Sequence, residues 1–184
     1  MPRFFAFLPV AALALAPVAQ AAGFSLTSPD LNPAKPVPVR HVFAGFGCTG
    51  ENLSPALEWK NPPSGTRSFA LTVYDPDAPT GSGWWHWVVV NLPPGTMSLP
   101  QGAGTPDGAR LPAGSSQVRT DYGGPGYGGP CPPTGDKPHR YVMTIHALKV
   151  ERLELPDNAT AALAGFMIRA NRLGEATMTV RYGR

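Results

Sequence analysis

Three short segments of the chain bring proton-exchanging side chains to the end of an apolar run. In the first, Asp75-Pro76-Asp77-Ala78-Pro79 follows Phe69-Ala70-Leu71-Thr72-Val73-Tyr74. Each proline fixes its own φ and restricts the residue before it, so both carboxylates are held in a stiff, non-helical segment at a strand end. Taken alone, the motif is equally an Asp-Pro turn with solvated acids. In the second, His86 lies within Trp84-Trp85-His86-Trp87-Val88-Val89-Val90-Asn91. A period of two places His86 on one face with Val88 and Val90, and Trp85 with Trp87 on the other, which predicts a histidine at the inner end of a core-facing row. In the third, His139 and Tyr141 share a face with Met143 and Ile145, while Arg140 points to the opposite face as a surface or ion-pair residue. A histidine in a buried row is commonly a structural residue with satisfied hydrogen bonds. All three segments nevertheless place polar groups where a core-facing strand meets a rigid loop, and one shared cleft accounts for all of them. Two Asp, two His and a Tyr, with prolines and Trp84 as walls, make a small polar cleft inside an apolar rim.

The elements that must position these groups are mostly strands. With 21 Gly and 23 Pro among 184 residues, helical bundles and coiled coils are excluded, whereas 42% hydrophobic residues against 15% charged ones indicate a packed domain rather than a disordered chain. Short β-type runs recur between turn signals at Gly23 to Thr27, Val39 to Phe43, Ser68 to Tyr74, Trp85 to Asn91, Tyr141 to Val150 and Ala176 to Tyr182. The pattern predicts a mainly β fold, a sandwich of two antiparallel sheets. One late helix is expected over Ala159 to Arg172, capped by Asp157 and ended by Gly174. Leu99 to Pro138 lacks apolar periodicity, and a loop that long inside a compact domain is either functional or disordered; Tyr122, Tyr127 and a cysteine indicate an ordered, functional one. Gly124, Gly126 and Gly129 fit a G-x-G-x-x-G spacing, but Pro130, Pro132 and Pro133 follow where a dinucleotide fold needs a helix.

Residues 1–21 read as a secretory leader. A short positive start, an apolar stretch from Phe4 to Ala16 and the small-x-small site Ala19-Gln20-Ala21 predict cleavage near Ala21, leaving a single domain over residues 22–184. The apolar run is too short to span a bilayer. A periplasmic or secreted location follows, with no integral membrane segment in the mature chain. In an oxidising compartment the pair Cys48 and Cys131 is expected to form a disulfide rather than a metal site or a nucleophile. The net charge of +3 is dispersed without a basic run, so nucleic acid is not an expected partner.

The ordered combination of these segments resembles the phosphatidylethanolamine-binding proteins, also called Raf-kinase-inhibitor proteins, and above all their small bacterial exported members. The matching residues are Gly50-Glu51-Asn52-Leu53-Ser54-Pro55 with Trp59, Tyr74 to Pro79, Trp85 to Asn91, Gly128-Gly129-Pro130-Cys131-Pro132-Pro133 and His139-Arg140-Tyr141. They cover nearly the whole mature chain. The resemblance implies a β-sandwich with a small pocket for an anion such as phosphate or a phospholipid headgroup. Carried over by position, the pocket residues are Asp75, Asp77, Pro79, His86, His139 and Tyr141, with Pro132 on the rim. A binding module is therefore expected, with no catalytic residue, cofactor or metal, and with modulation or inhibition of a partner protein as an accompanying role. The competing class is a metal-dependent or acid/base hydrolase using the same Asp and His side chains. Against it, the chain has no H-E-x-x-H and no nucleophile elbow, and Ser54 and Ser82 lack a local activating signature.

Overall fold

The computed structural model describes Met1 and residues 23–184. Apart from Met1, the leader expected at 1–21 lies outside the described residues. In chain order the elements are β1 (Ser25–Thr27), β2 (Ala44–Gly45), β3 (Cys48–Thr49), β4 (Leu57–Lys60), β5 (Ser68–Asp75), β6 (Trp84–Leu92), β7 (Ser98–Leu99), β8 (Ser116–Gln117), β9 (His139–Leu148), the helix α1 (Ala161–Asn171) and β10 (Arg172–Tyr182). Five strands form an antiparallel sheet in the order β10-β9-β5-β6-β8, three form a smaller one in the order β1-β4-β7, and β2 and β3 make a separate ribbon.

The two-sheet arrangement with one late helix is the expected one. One face of the large sheet packs on the small sheet through Phe69, Leu71, Val73, Trp87, Val89, Tyr141, Met143 and Ile145 against Leu26, Leu57, Trp59 and Leu99. Its other face packs on α1 through Ala70, Val88, Val90 and Leu148 against Ala161, Ala164 and Ile168. Because β5 and β6 are covered on both sides, their sequences are nearly continuous apolar runs rather than alternating ones. Burying each large side chain contributes about 1.5 to 3 kcal/mol, so these two layers fix the strand ends that carry the polar groups. No helix among the described residues is long and apolar enough to cross a membrane.

Three local expectations are corrected. Val39–His41 is a single 3-10 turn, not a strand: it leaves Val39 exposed and turns His41 inward, where the ring Nδ1 donates to the Leu53 carbonyl. The helix is capped by Thr160 rather than Asp157, with the hydroxyl accepting from the Leu163 N–H. It does not end at Gly174, because the chain enters β10 directly at Arg172 and Gly174 sits at an irregularity in the β9 pairing. A Cβ at Gly174 would press on Pro63, so this glycine answers a close approach rather than a helix stop. The long loop from Leu99 to Pro138 is ordered, with Tyr127 buried and its hydroxyl donating to the His41 carbonyl at 2.9 Å.

Candidate functional site

The end of β5 and the start of β9 lie side by side, which brings Asp75, His139 and Tyr141 together on the face that continues the row Leu71, Val73, Met143, Ile145. Asp75 is buried, and each of its oxygens has a partner. One accepts from the Asp77 N–H at 2.8 Å, the local bond that an Asp makes at a turn. The other accepts from His139 Nδ1 at 2.7 Å. The second nitrogen of His139 faces Asp136 at 3.3 Å. Both ring nitrogens thus meet carboxylate oxygens, one buried and one at the surface.

Asp77 does not join this group. Its carboxylate takes the Arg140 guanidinium in a two-point pair, at 2.9 Å to Nε and 2.7 Å to a terminal nitrogen, and also the Arg140 backbone N–H. The hydrogen bonds from Arg140 hold the Asp77 carboxyl well below the usual carboxylate range. Asp77 and Arg140 clamp the turn after β5 to the first residues of β9 on the far side from the cleft.

His86 reaches the cleft through a bulge. Opposite Val73 and Tyr74 the pairing steps from Trp87 to Trp85, leaving His86 as the extra residue in β6. Strict alternation, which put His86 with Val88 and Val90 and paired Trp85 with Trp87, is therefore broken at this point. Trp85 packs with Tyr74 on the α1 side, ring centroids 4.6 Å apart, while Trp87 belongs to the core between the sheets. The His86 ring packs edge-on against Tyr141 with centroids 5.1 Å apart.

The bulged residue is held by the Gly/Pro loop. The His86 carbonyl accepts from the Gly128 N–H, and His86 Nδ1 donates to the Gly128 carbonyl at 2.7 Å. Asn52 fixes the loop by donating to the Tyr127 carbonyl and accepting from the Gly129 N–H. A Cβ at Gly129 would overlap the His41 carbonyl, so only glycine lets this backbone approach the 3-10 turn closely enough. A carbonyl can only accept, so the Nδ1 bond fixes the tautomer of the neutral ring and leaves Nε2 bare. Burial pushes the ring down to about 4, outweighing the opposing pull of the Gly128 bond and the Asp75 charge.

These groups line a cavity of about 160 Å³. Of the residues expected at the site, Asp75, Pro79, His86, Pro132, His139 and Tyr141 line it, with Trp84 as a wall; Asp77 does not. Three buried polar atoms in the lining have no hydrogen-bond partner: His86 Nε2, the Tyr141 hydroxyl and the Trp84 indole N–H. Burial, with the Asp75 charge, raises the Tyr141 hydroxyl far above its ordinary range, so it stays protonated and able to donate. All three atoms lack a partner within the protein and belong to residues that line the one cavity.

The rim is covalently held. Cys48 and Cys131 form the expected disulfide, with Cα atoms 6.0 Å apart, joining β3 to the loop that carries Pro132 and Pro133. Arg184 binds the same two segments, donating to the carbonyls of Pro132 at 2.7 Å, Gly47 at 2.8 Å and Phe46 at 3.2 Å. Phe46 and Tyr122 also line the cavity, although the sequence pattern points to neither as a site residue and marks Tyr122 only as a residue of an ordered loop. They stack with centroids 5.9 Å apart. Phe46 adopts φ 52°, an unusual value for a bulky residue, and is 69% exposed at the mouth. That positive φ has no side-chain signature, and only Gly45 and Gly47 on either side hint at a tight turn. Among the described residues no group of three or more His, Cys, Asp or Glu side chains is arranged to hold a metal ion.

The chain is 52% identical to YbcL of Escherichia coli K12 over 89% of this chain and 90% of that protein, and 50% identical to YbhB of the same organism over 85% and 98%. The crystal structure of E. coli YbcL, described as a new member of the mammalian PEBP family, matches with a TM-score of 0.86 over 89% of this chain and 99% of that chain, at 50% identity. CT736 from Chlamydia trachomatis D/UW-3/CX matches at 28% identity with a TM-score of 0.72 over 88% and 97%. The sequence pattern of the phosphatidylethanolamine-binding protein family fits residues 27–183, and with the fold and the relatives in agreement, the chain belongs to that family.

Proposed function

We propose that this chain is an exported binding protein whose cleft takes a small oxyanion of the phosphate type and does not turn it over. The observation that carries the reading is the set of three buried polar atoms without a partner in the protein, His86 Nε2, the Tyr141 hydroxyl and the Trp84 indole N–H, on residues that line one cavity. Two of them are donors in every relevant state, and hydrogen bonds to an ionised acceptor are worth about 1.5 to 3 kcal/mol each. Export is supported by the Cys48–Cys131 disulfide together with the leader-like start of the chain. Binding without turnover is supported by the hydroxyl groups of the lining. Thr80 donates to the Gly83 carbonyl and Tyr122 to the Gly129 carbonyl, and neither is paired with His86 as a nucleophile would be.

The test is a titration of the folded protein with inorganic phosphate and with phosphoethanolamine, followed by NMR at the Trp84 indole N–H. Saturable shifts are expected, with affinity at least tenfold lower in Tyr141→Phe, a loss of about 1.4 kcal/mol or more. No shift at millimolar ligand, or an unaffected Tyr141→Phe variant, would remove the anion from this cleft. Release of phosphate from phosphoethanolamine during the titration would make the protein a hydrolase with His86 as its base.

A further inference from the structure

We propose that the cleft takes its oxyanion from a lipid that stays in its bilayer, with the cleft mouth seated on the membrane and Phe46 as the side chain that enters it. This rests on the reading of the cleft as an oxyanion site and names the surface that presents the anion.

The groups of the cleft are sorted by depth. Its hydrogen-bonding side chains Asp75, His86, His139 and Tyr141 are all buried, whereas the lining residues Pro79, Thr80 and Pro133 are exposed and Phe46 is 69% exposed. A ligand with its polar end inward and its apolar end at the mouth matches that order, and a free ion leaves the apolar mouth in water. The volume of about 160 Å³ is below the roughly 300 Å³ at which pockets enclose drug-sized ligands. The cleft therefore holds a headgroup phosphate and has no room for acyl chains, which the cost of exposing them to water keeps in the bilayer.

Phe46 is built to project there. It and its neighbours Gly45 and Gly47 all have positive φ, at 52°, 148° and 80°, a conformation that a bulky residue holds only where its surroundings enforce it. They do so from three sides. The Cys48–Cys131 disulfide ties the turn to the loop of Pro132, Arg184 donates to the Phe46 and Gly47 carbonyls, and the ring packs on Phe43 and Tyr122 with centroids 5.3 and 5.9 Å away. A ring already fixed in water gives up little side-chain freedom on entering a lipid interface, where Phe is a common inserted residue. Charge fits the same partner. Residues 43–50, 78–83 and 122–135, which supply the mouth, contain no Asp or Glu, and the bordering carboxylates of Asp77, Asp121 and Asp136 are bonded to Arg140, the Trp85 N–H and His139. Arg184 adds a cation to the two segments it binds, which suits an anionic lipid surface.

The test measures flotation of the folded protein with vesicles of phosphatidylethanolamine and phosphatidylglycerol, alongside NMR titration at the Trp84 indole N–H with glycerophosphoethanolamine, a headgroup without its acyl chains. The protein should float with the vesicles, and Tyr141→Phe should weaken flotation as it weakens headgroup binding. Phe46→Asn, a residue type that tolerates positive φ, should lower the vesicle partition coefficient at least tenfold beyond any loss of headgroup affinity. Phe166→Ala removes another exposed aromatic, which lies on α1 outside the cleft lining, and should leave flotation intact. In Phe46→Trp, bromine atoms on the acyl chains should quench fluorescence beyond the quenching in the unmodified protein. Headgroup binding without flotation, equal losses in Phe46→Asn for vesicle and headgroup, no added quenching in Phe46→Trp, or flotation abolished by Phe166→Ala overturns the docking and leaves the oxyanion cleft in place. Flotation unaffected by Tyr141→Phe overturns it in favour of adsorption independent of the cleft. Lipid carried off the vesicles into the soluble fraction makes the protein a carrier and overturns binding in place. Binding of neither probe overturns the oxyanion reading and the docking with it.

Discussion

Replacing His86 by Gln should make the protein more tolerant of acid relative to its own stability at neutral pH. The ring is held near 4 in the folded protein by burial, against an ordinary value of 6.5. Between those two values the unfolded chain binds a proton that the folded protein refuses, so stability falls as the pH falls through this window, and the loss is complete below the folded value. At about 1.4 kcal/mol per pH unit, the whole window is worth about 3 kcal/mol, and roughly 1 kcal/mol of it is lost by pH 5.5. Burial likewise lowers His146, to about 4, and His41, but these contributions are common to both proteins and cancel in the comparison. The assay is urea unfolding followed by tryptophan fluorescence at pH 7.0, 5.5 and 4.5 in buffers free of phosphate and sulfate. The Gln variant is expected to begin lower at pH 7 and to close on the unmodified protein by about 2 kcal/mol at pH 4.5. Parallel stability curves would show that His86 titrates as it does in the unfolded chain, and the neutral-ring account of the cleft would be wrong.

Two further outcomes follow from the same structure. Thiol labelling of unreduced, denatured protein should find no free cysteine, and replacing Cys48 and Cys131 by Ser should destabilise the chain by about 4 to 5 kcal/mol, the loop-closure value for the 83-residue separation; two reactive thiols in freshly exported protein would contradict the pairing. N-terminal sequencing of the exported protein should begin at Ala22 or within a residue of it, whereas recovery of Phe4 to Ala16 in a membrane fraction would make that segment an anchor.

Which residues stand as polar groups at the ends of apolar strands is readable from local pattern alone. Asp75 after a six-residue apolar run, His139 and Tyr141 in register with Met143 and Ile145, and prolines that stiffen each exit are local facts, readable because alternation and proline geometry act over a few residues. The disulfide was legible once export was inferred, because two cysteines leave one intramolecular pairing. The tertiary structure decided the rest. Alternation states which residues share a face only while the ladder is unbroken, and the bulge that moves His86 away from Val88 and Val90 is created by how β6 pairs with β5. Asp75 and Asp77 are two residues apart and look equivalent in sequence. Only the position of β9 sends one to His139 and the other to Arg140, since the choice is made by side chains 63 and 64 residues away. The same holds for the bare Nε2 of His86. Its tautomer is fixed by a carbonyl 42 residues distant, on a loop whose backbone comes close enough only because Gly129 has no side chain, so the chemistry of the cleft is set by contacts that no local pattern records.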